Sequence, residues 1–200
     1  MILAIDVESS NLPTVGMKLT DAAYPWPMQV AAVLFNMDGR DQAVFSTRIR
    51  SEGRMVAPGA QNVHGISSRE AAKTGIPEVV ALSAVCHFAS QALYLVGFNV
   101  CFDRDVLHAA ILRLGQDPKR LLRPGLQLVD LMKPSAAICK LPSEREDGSY
   151  KWPKLSDALG KVRNERAPQG RHDALQDAMR AKRLFLSLHH RGALDLERAA

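Results

Sequence analysis

Apolar and polar positions recur along the chain with two periods, one of two residues and one of about 3.6, and each period predicts a different element. Short apolar or alternating runs predict five strands, at residues 1–10, 28–37, 41–50, 94–99 and 126–132. The residues Asp-Gly-Arg between the second and third runs favour a tight turn. The first three strands should therefore form an antiparallel set.

Helical periodicity predicts four helices, at residues 77–93, 102–115, 154–162 and 172–192. Short helical pieces are expected between residues 57 and 75, broken at Gly65 and Gly75. Hairpin strands followed by alternating helices and strands predict one α/β domain, with a mixed five-stranded sheet flanked by helices. We expect this domain to span residues 1–192, with a short tail at residues 193–200.

The first predicted strand ends in two acids. Residues Ile2–Ile5 form an apolar run that is typical of a strand buried on both faces, and Asp6 and Glu8 follow it. Residues two apart in an extended chain lie on the same face, so these two carboxylates should be neighbours. Buried carboxylates repel each other unless a cation joins them, and a hard cation such as Mg²⁺ prefers oxygen ligands. The alternative is an ordinary strand end whose acids lie in solvent.

Asp103 is a further candidate because it follows a predicted buried strand and lies at the beginning of a helix. Open α/β sheets place their sites at such strand-to-helix junctions. A helix N-terminus also favours acids for purely structural reasons, through the positive end of its dipole. Both interpretations remain open from the local pattern.

The last predicted helix carries one acid on an otherwise apolar face. That face contains Ala174, Ala178, Ala181, Leu184, Phe185 and Leu188, and the opposite face contains Gln176, Arg180, Arg183 and Ser187. Asp177 falls within the apolar face, where a carboxylate needs a partner such as a metal ion. Asp173 and Gln176 have the spacing of a capping box, so Asp173 is predicted to be structural. His172 precedes this cap and is either a solvated residue or part of a site.

Together these residues form three ordered motifs, D-x-E at Asp6 and Glu8, F-D at Phe102 and Asp103, and H-x(4)-D at His172 and Asp177. The set resembles the DEDDh family of 3′–5′ exonucleases, in the superfamily of the replicative proofreading subunit, over roughly Ile2 to Leu188. The resemblance implies a ribonuclease-H-like fold. It also implies hydrolysis of terminal phosphodiesters with release of nucleoside 5′-monophosphates.

The resemblance further implies a two-metal site. Two divalent ions, Mg²⁺ or Mn²⁺, would lie about 3.5–4 Å apart. Asp6 would bridge both ions, Glu8 and Asp177 would hold the first, and Asp103 would support the second. His172 would take the proton of the attacking water.

The resemblance also points to substrate contacts at Ser9, Ser10, His64, Gly65 and Asn99. The family often has Thr-Thr-Gly where this chain has Ser9, Ser10 and Asn11, so a hydroxyl is retained. His64 and Gly65 lie in a Val-His-Gly-Ile-Ser segment similar to the family's H-G-I segment, for which a structural loop is the alternative. Asn99 follows a Phe where relatives often carry His, and a turn residue that caps the strand is the alternative.

Charge and composition favour a globular protein with a polyanionic partner. Hydrophobic residues make up 46% and charged residues 24% of the chain. The net charge of +5 comes entirely from residues 151–200, which hold 11 Lys and Arg against 6 Asp and Glu; residues 1–150 hold 15 of each. This basic excess suggests a polyanionic partner. The resemblance implies that the partner is nucleic acid with single-stranded 3′ ends, and DNA is preferred to RNA because no residue identifiably reads a sugar 2′-hydroxyl. Three scattered cysteines form no C-x-x-C pair, which suggests a reducing cytoplasm.

Two alternatives keep the same fold. One is an exoribonuclease or oligoribonuclease that acts on RNA, and the other is a catalytically silent nucleic-acid-binding module. The presence of all five motif residues argues against the silent module. A serine hydrolase is not favoured, because Ser9 and Ser10 lie in no G-x-S-x-G motif.

Overall fold

The computed structural model describes residues 1–143, 148–165 and 170–196. Its sheet has five strands in the order β3-β2-β1-β4-β5. They are β1 (Ile2–Ser9), β2 (Pro27–Phe35), β3 (Asp41–Arg48), β4 (Tyr94–Gly97) and β5 (Gln127–Asp130). The first three strands pair antiparallel, whereas β1 pairs with β4 and β4 with β5 in parallel. The predicted mixed sheet with its antiparallel set is thus confirmed.

The helices of the described residues are α1 (Pro58–His64), α2 (Ser68–Thr74), α3 (Glu78–Ala89), α4 (Val100–Arg113), α5 (Met132–Cys139), α6 (Leu155–Arg163) and α7 (Ala174–His190). The predicted breaks at Gly65 and Gly75 are confirmed, since one separates α1 from α2 and the other ends α2. Helix α4 begins two residues earlier than its periodicity predicted.

Helix α5 was not predicted. It follows β5 after a single residue and has only eight residues, too few for a helical period to stand out. Pro134 would usually argue against a helix, but it lies in the first turn, where no backbone N–H is needed for a helical hydrogen bond. The Asp130 side chain accepts the Met132 N–H at 2.9 Å and so stabilises this beginning.

The sheet is covered on both faces, which explains the apolar run in β1. One core cluster joins Leu3, Ile5 and Val7 to helices α3 and α4, and the other joins Ile2 and Ala4 to helices α6 and α7. Strand β1 is therefore the buried centre of the fold. Side chains at its even-numbered positions are directed towards α7, and this alternation determines where the acids at its end lie.

The end of the chain continues the second cluster. Ala193 donates its backbone N–H to Leu188 at 2.9 Å, and Leu194 and Leu196 pack against the same core. The expected tail at residues 193–200 is thus partly packed, and residues 197–200 lie outside the described part of the chain. Within the described ranges, no helix combines the length and the apolarity needed to cross a membrane.

Candidate active site

The carboxyl end of β1 places Asp6 and Glu8 on the face of the sheet that packs against α7. Glu8 is only 6% exposed, and its Oε1 atom is buried without a hydrogen-bond partner among the described residues. Burial, strengthened by the Asp177 charge and partly offset by the His172 charge, raises the pKa of Glu8 to about 7. A carboxylate buried in this way needs a cationic partner to stay ionised.

Asp103 brings helix α4 to the same strand end. Its Oδ1 atom accepts a 2.9 Å hydrogen bond from the backbone N–H of Val7, which lies between the two acids of β1. Burial raises the pKa of Asp103 well above its ordinary value in spite of this bond. Burial and the charges of Asp103 and Glu8 likewise raise the pKa of Asp6. The three acids can all be ionised only if a cation compensates them.

Helix α7 begins at a cap that ties it to the sheet. Asp173 accepts the Gln176 backbone N–H through Oδ1 at 3.1 Å, as the capping pattern predicts. Its Oδ2 atom accepts a 3.0 Å hydrogen bond from Gln29 Nε2 on strand β2. Both oxygens of Asp173 thus have partners within the fold, which agrees with its predicted structural role.

Asp177 lies one turn further along α7 and is buried beside the strand end. Its Oδ1 atom pairs with Arg180 Nη1 at 2.6 Å, and its Oδ2 atom lies 3.1 Å from His172 Nδ1. Burial alone would raise the pKa of Asp177, but these two contacts hold it below its ordinary value. The contact with Asp177 raises the pKa of His172, whose side chain is 60% exposed.

These side chains fit a site for divalent cations. Glu8, His172 and Asp177 each offer one ligand atom, and the three atoms lie within 4.8 Å of one another. Asp6 and Asp103 add two neighbouring carboxylates, whose pKa values are raised by burial first and by nearby acids second. Carboxylate oxygens suit hard cations such as Mg²⁺ and Mn²⁺. The unpartnered Oε1 atom of Glu8 is a free ligand for such an ion.

The acids open on a cleft of about 640 Å³. Eight of the ten predicted site residues line it, namely Asp6, Glu8, Ser9, His64, Asn99, Asp103, His172 and Asp177. Apolar side chains form the rest of its wall, among them Leu12, Val63, Phe98, Phe102 and Met132. The cleft thus combines an acidic end with apolar surface.

The structure does not bring Ser10 and Gly65 to the cleft wall. The Ser10 hydroxyl accepts the Trp26 backbone N–H at 3.1 Å, and Ser10 is buried. Gly65 ends α1 with a φ of 80°, a conformation that favours glycine, and a Cβ there would lie 2.8 Å from Arg171 Nη1. Ser10 and Gly65 thus have structural roles. The sequence motif alone cannot tell such roles from contact with a substrate.

His64 is held by hydrogen bonds at both ring nitrogens. Its Nδ1 atom accepts the Ile66 backbone N–H at 3.0 Å, so the proton of the neutral ring lies on Nε2. Nε2 is 3.2 Å from the Ser9 carbonyl oxygen, to which it donates. Burial lowers the pKa of His64 and favours this neutral form. His64 therefore fixes the end of β1 and contributes the surface of its ring to the cleft.

Asn99 has a left-handed backbone, with a φ of 65°, at the junction of β4 and α4. Its backbone N–H donates to Asp130 Oδ1 at 2.9 Å. Because Asp130 also accepts the first N–H of α5, it joins two strand-to-helix junctions beside Asp103. Asn99 therefore has the turn role given above as the alternative, and it also lines the cleft.

Two basic residues of the cleft, Arg180 and Lys154, were not predicted from the sequence. Arg180 was assigned to the polar face of α7, but its guanidinium reaches back to Asp177. Helical side chains lean towards the N-terminus of their helix, so a residue three positions after Asp177 can reach that carboxylate. The i,i+3 spacing of an acid and an arginine was the available signal.

Solved structures of Escherichia coli exonuclease I share this fold. A complex with a dA16 oligonucleotide has a TM-score of 0.74 at 20% identity, with 95% of this chain and 41% of that chain covered. A zinc-bound complex with single-stranded DNA has a TM-score of 0.72 at 20% identity, with coverage of 95% and 40%. A product-bound structure described only as exonuclease I, without a stated organism, has a TM-score of 0.70 at 18% identity, with coverage of 94% and 43%. The chain thus spans about two fifths of these relatives.

Sequence comparisons assign the family. A search of curated protein sequences finds no match. The RNase T family model, described as exonuclease, matches residues 3–185 and so includes all three acidic motifs. Since this match covers most of the chain, the protein belongs to the RNase T exonuclease family.

Proposed function

We propose that the protein is a metal-dependent 3′–5′ exonuclease that releases nucleoside 5′-monophosphates. The observation that carries this proposal is the meeting of four carboxylates, Asp6, Glu8, Asp103 and Asp177, from three distant parts of the chain at one cleft. The unpartnered Glu8 Oε1 atom and the raised pKa values of three of these acids support a cation as their missing partner.

The four carboxylates would hold two divalent ions, Mg²⁺ or Mn²⁺. Asp6 would contact both ions, with Glu8 and Asp177 at one and Asp103 at the other. When bound, such ions act as Lewis acids towards phosphoryl oxygens and stabilise the negative charge of the transition state. The hydrogen bond from Val7 N–H keeps one Asp103 oxygen directed at the strand end.

His172 is proposed as the general base. Asp177 engages its Nδ1 atom at 3.1 Å, so in the neutral ring Nδ1 carries the proton and Nε2 is the basic atom. Nε2 would take a proton from the water whose oxygen bonds to phosphorus. The bond between phosphorus and the 3′-oxygen of the preceding nucleotide then breaks, and that oxygen leaves with the bonding electrons and takes up a proton from solvent to become a hydroxyl. The exposed side chain of His172 allows water to reach it.

Single-stranded DNA with a free 3′ end is the proposed substrate. The net charge of +5 supports a polyanionic substrate. The apolar cleft wall, which includes Leu12 and Phe98, suits the faces of unpaired bases. The structural relatives in complex with single-stranded oligonucleotides support the same class. RNA is the second candidate, because bases and phosphates present the same features there.

A panel of 5′-labelled oligonucleotides tests this proposal. We expect single-stranded DNA with a 3′-hydroxyl to shorten progressively in Mn²⁺, faster than duplex DNA or RNA. A terminal 3′-phosphate should block the reaction, because the site would accept a free 3′-hydroxyl. Binding without cleavage would favour the silent module, and faster cleavage of RNA would favour the exoribonuclease. Efficient cutting of circular single strands would contradict an exonuclease.

We further propose that residues 1–192 form the exonuclease domain and that the protein acts in a reducing cytoplasm. The packing of α7 through Leu188 against the sheet supports the domain range. The cysteines Cys86, Cys101 and Cys139 are all free thiols, which supports the compartment. Fractionation of cells that express a tagged protein would test the location.

A further inference from the structure

Arg180 and Lys154 are the cationic residues that line the cleft among the described residues, and Arg180 directly contacts one of its acids. The Arg180 guanidinium lies 2.6 Å from Asp177, and the Arg180 side chain is 18% exposed. The next arginine that faces out from this helix, Arg183, is 47% exposed and pairs with Glu165 at 2.7 Å instead. Two arginines of one helix thus have different surroundings, and only Arg180 faces the site.

The guanidinium has donors left over for a ligand. Nη1 donates to Asp177 Oδ1, and Nη2 makes a long 3.4 Å bond to Gln176 Oε1. A guanidinium carries five N–H donors, so three remain without a partner among the described residues. The pairing with Asp177 holds the group rigidly at the cleft, which lowers the entropy that a further contact would cost.

Charge indicates what that ligand is. If the proposed function is right, two divalent ions balance the four carboxylates, and the phosphodiester of a bound strand then adds one uncompensated negative charge. Arg180 supplies one positive charge in the same cleft. A planar guanidinium also matches the two free oxygens of a phosphodiester.

We propose that Arg180 is a substrate-binding residue that contacts a backbone phosphate near the 3′ end of the strand, while Asp177 holds it in place. The inference rests on the proposed function for its substrate class. Arg180 would thus bind the nucleic-acid strand in addition to pairing with Asp177.

Binding of a 5′-labelled oligothymidylate in Ca²⁺ tests this role, because Ca²⁺ should permit binding with little turnover. Arg180→Gln should weaken binding about 10- to 100-fold, since a charge-assisted hydrogen bond is lost. The slope of log affinity against log salt concentration should fall by about 0.7, the value of one phosphate contact on a single strand. Binding of Mn²⁺ without DNA should not weaken.

Two further variants make the test selective. Arg180→Lys, which keeps the charge at Asp177, should retain the wild-type salt slope but bind more weakly, because an ammonium has no planar fork. Arg183→Gln, the matched control on the same helix, should change neither slope nor affinity. Melting curves establish that each variant is folded.

A wild-type salt slope in folded Arg180→Gln, or wild-type affinity in Arg180→Lys, would overturn the inference. Loss of Mn²⁺ binding with an unchanged slope would do so too, because Arg180 would then only position Asp177. Failure of the wild-type protein to bind the strand in Ca²⁺ would instead count against the proposed function.

Discussion

Single residues at the cleft differ in how their negative charge is compensated. Asp177 has Arg180 and His172 as partners, and Asp103 has the Val7 N–H. The Oε1 atom of Glu8 has none among the described residues, and burial keeps the pKa of Glu8 at about 7. At neutral pH the need for a cation is therefore greatest at the end of β1, beside an Asp177 whose pKa is already low.

The two aspartates at the start of α7 have different proposed roles, since Asp177 is a metal ligand and Asp173 is the helix cap. Asp177→Asn should lower the cleavage rate at least ~100-fold, because a charge that stabilises the transition state is lost. Asp173→Asn should keep the rate, since Asn also caps helices. It should cost about 1 kcal/mol of stability, because an amide cannot accept from both Gln176 and Gln29.

Single-turnover cleavage and melting curves of the two variants check this pair. An inactive Asp173→Asn beside an active Asp177→Asn would mean that the wrong carboxylate has been assigned.

His172 should act through its neutral ring. Asp177 raises the pKa of His172 above its ordinary 6.5, so the rate should rise with pH and level off only above that value. His172→Ala should cost about 10²–10⁴-fold in rate and leave strand affinity in Ca²⁺ nearly unchanged. Single-turnover cleavage from about pH 6 to pH 9 measures the pH dependence and the loss of rate, and strand binding in Ca²⁺ measures the affinity. A wild-type rate with a lower melting temperature would assign His172 a structural role only.

Among the elements, β1 and α7 could be predicted because their patterns are regular. The two-residue period of β1 places Asp6 and Glu8 on one face, and the apolar face of α7 is buried as expected. Arg180 was misplaced because a helical wheel assigns a face but not the direction in which a long side chain leans. Helix α5 was missed because eight residues after a strand carry too little periodicity.

The turn between α2 and α3 presses a glycine against the backbone that follows strand β3. A Cβ at Gly75 would lie 2.4 Å from the Arg50 backbone N and 2.6 Å from the Ala71 carbonyl oxygen. Backbone atoms cannot move aside as a side chain can, so Gly75→Ala should destabilise the protein by about 1–3 kcal/mol or more. Gly59→Ala, at a helical position with open space around it, should be neutral or slightly stabilising. Chemical denaturation compares the two, and equal stability would contradict this packing.

At the scale of the whole molecule, the fold brings together acids that lie far apart in sequence. The order of the three motifs is readable from the chain, and so the metal ligands could be proposed from sequence. The contacts of Ser10 and Gly65 could not, because a motif does not reveal that a hydroxyl accepts a backbone N–H or that a turn needs a positive φ. Such roles depend on segments such as Trp26 and Arg171, which only the folded chain brings near.

The acidic cleft should make the stability of the metal-free protein depend on pH. The folded pKa of Glu8, about 7, exceeds the ordinary value of 4.5, so its contribution is fully present below about pH 4.5 and is lost as pH rises through 7. The change should amount to about 3 kcal/mol. Added Mg²⁺ should restore stability at high pH. Melting curves of wild type and Glu8→Gln measure it, and an equally steep loss in Glu8→Gln would exclude Glu8 as the cause.

Metal-dependent trimming from the 3′ end is the most direct test of the proposed enzyme. A 5′-labelled single strand with a free 3′-hydroxyl is incubated with the protein in Mg²⁺ or Mn²⁺, in EDTA, and with Asp6→Asn in place of the wild type. We predict a ladder of shortening strands and released 5′-monophosphates in the metal, and no products in EDTA. A folded Asp6→Asn should be nearly inactive, because Asp6 is the carboxylate proposed to contact both ions. An undiminished ladder in EDTA or with Asp6→Asn would contradict the metal-dependent mechanism.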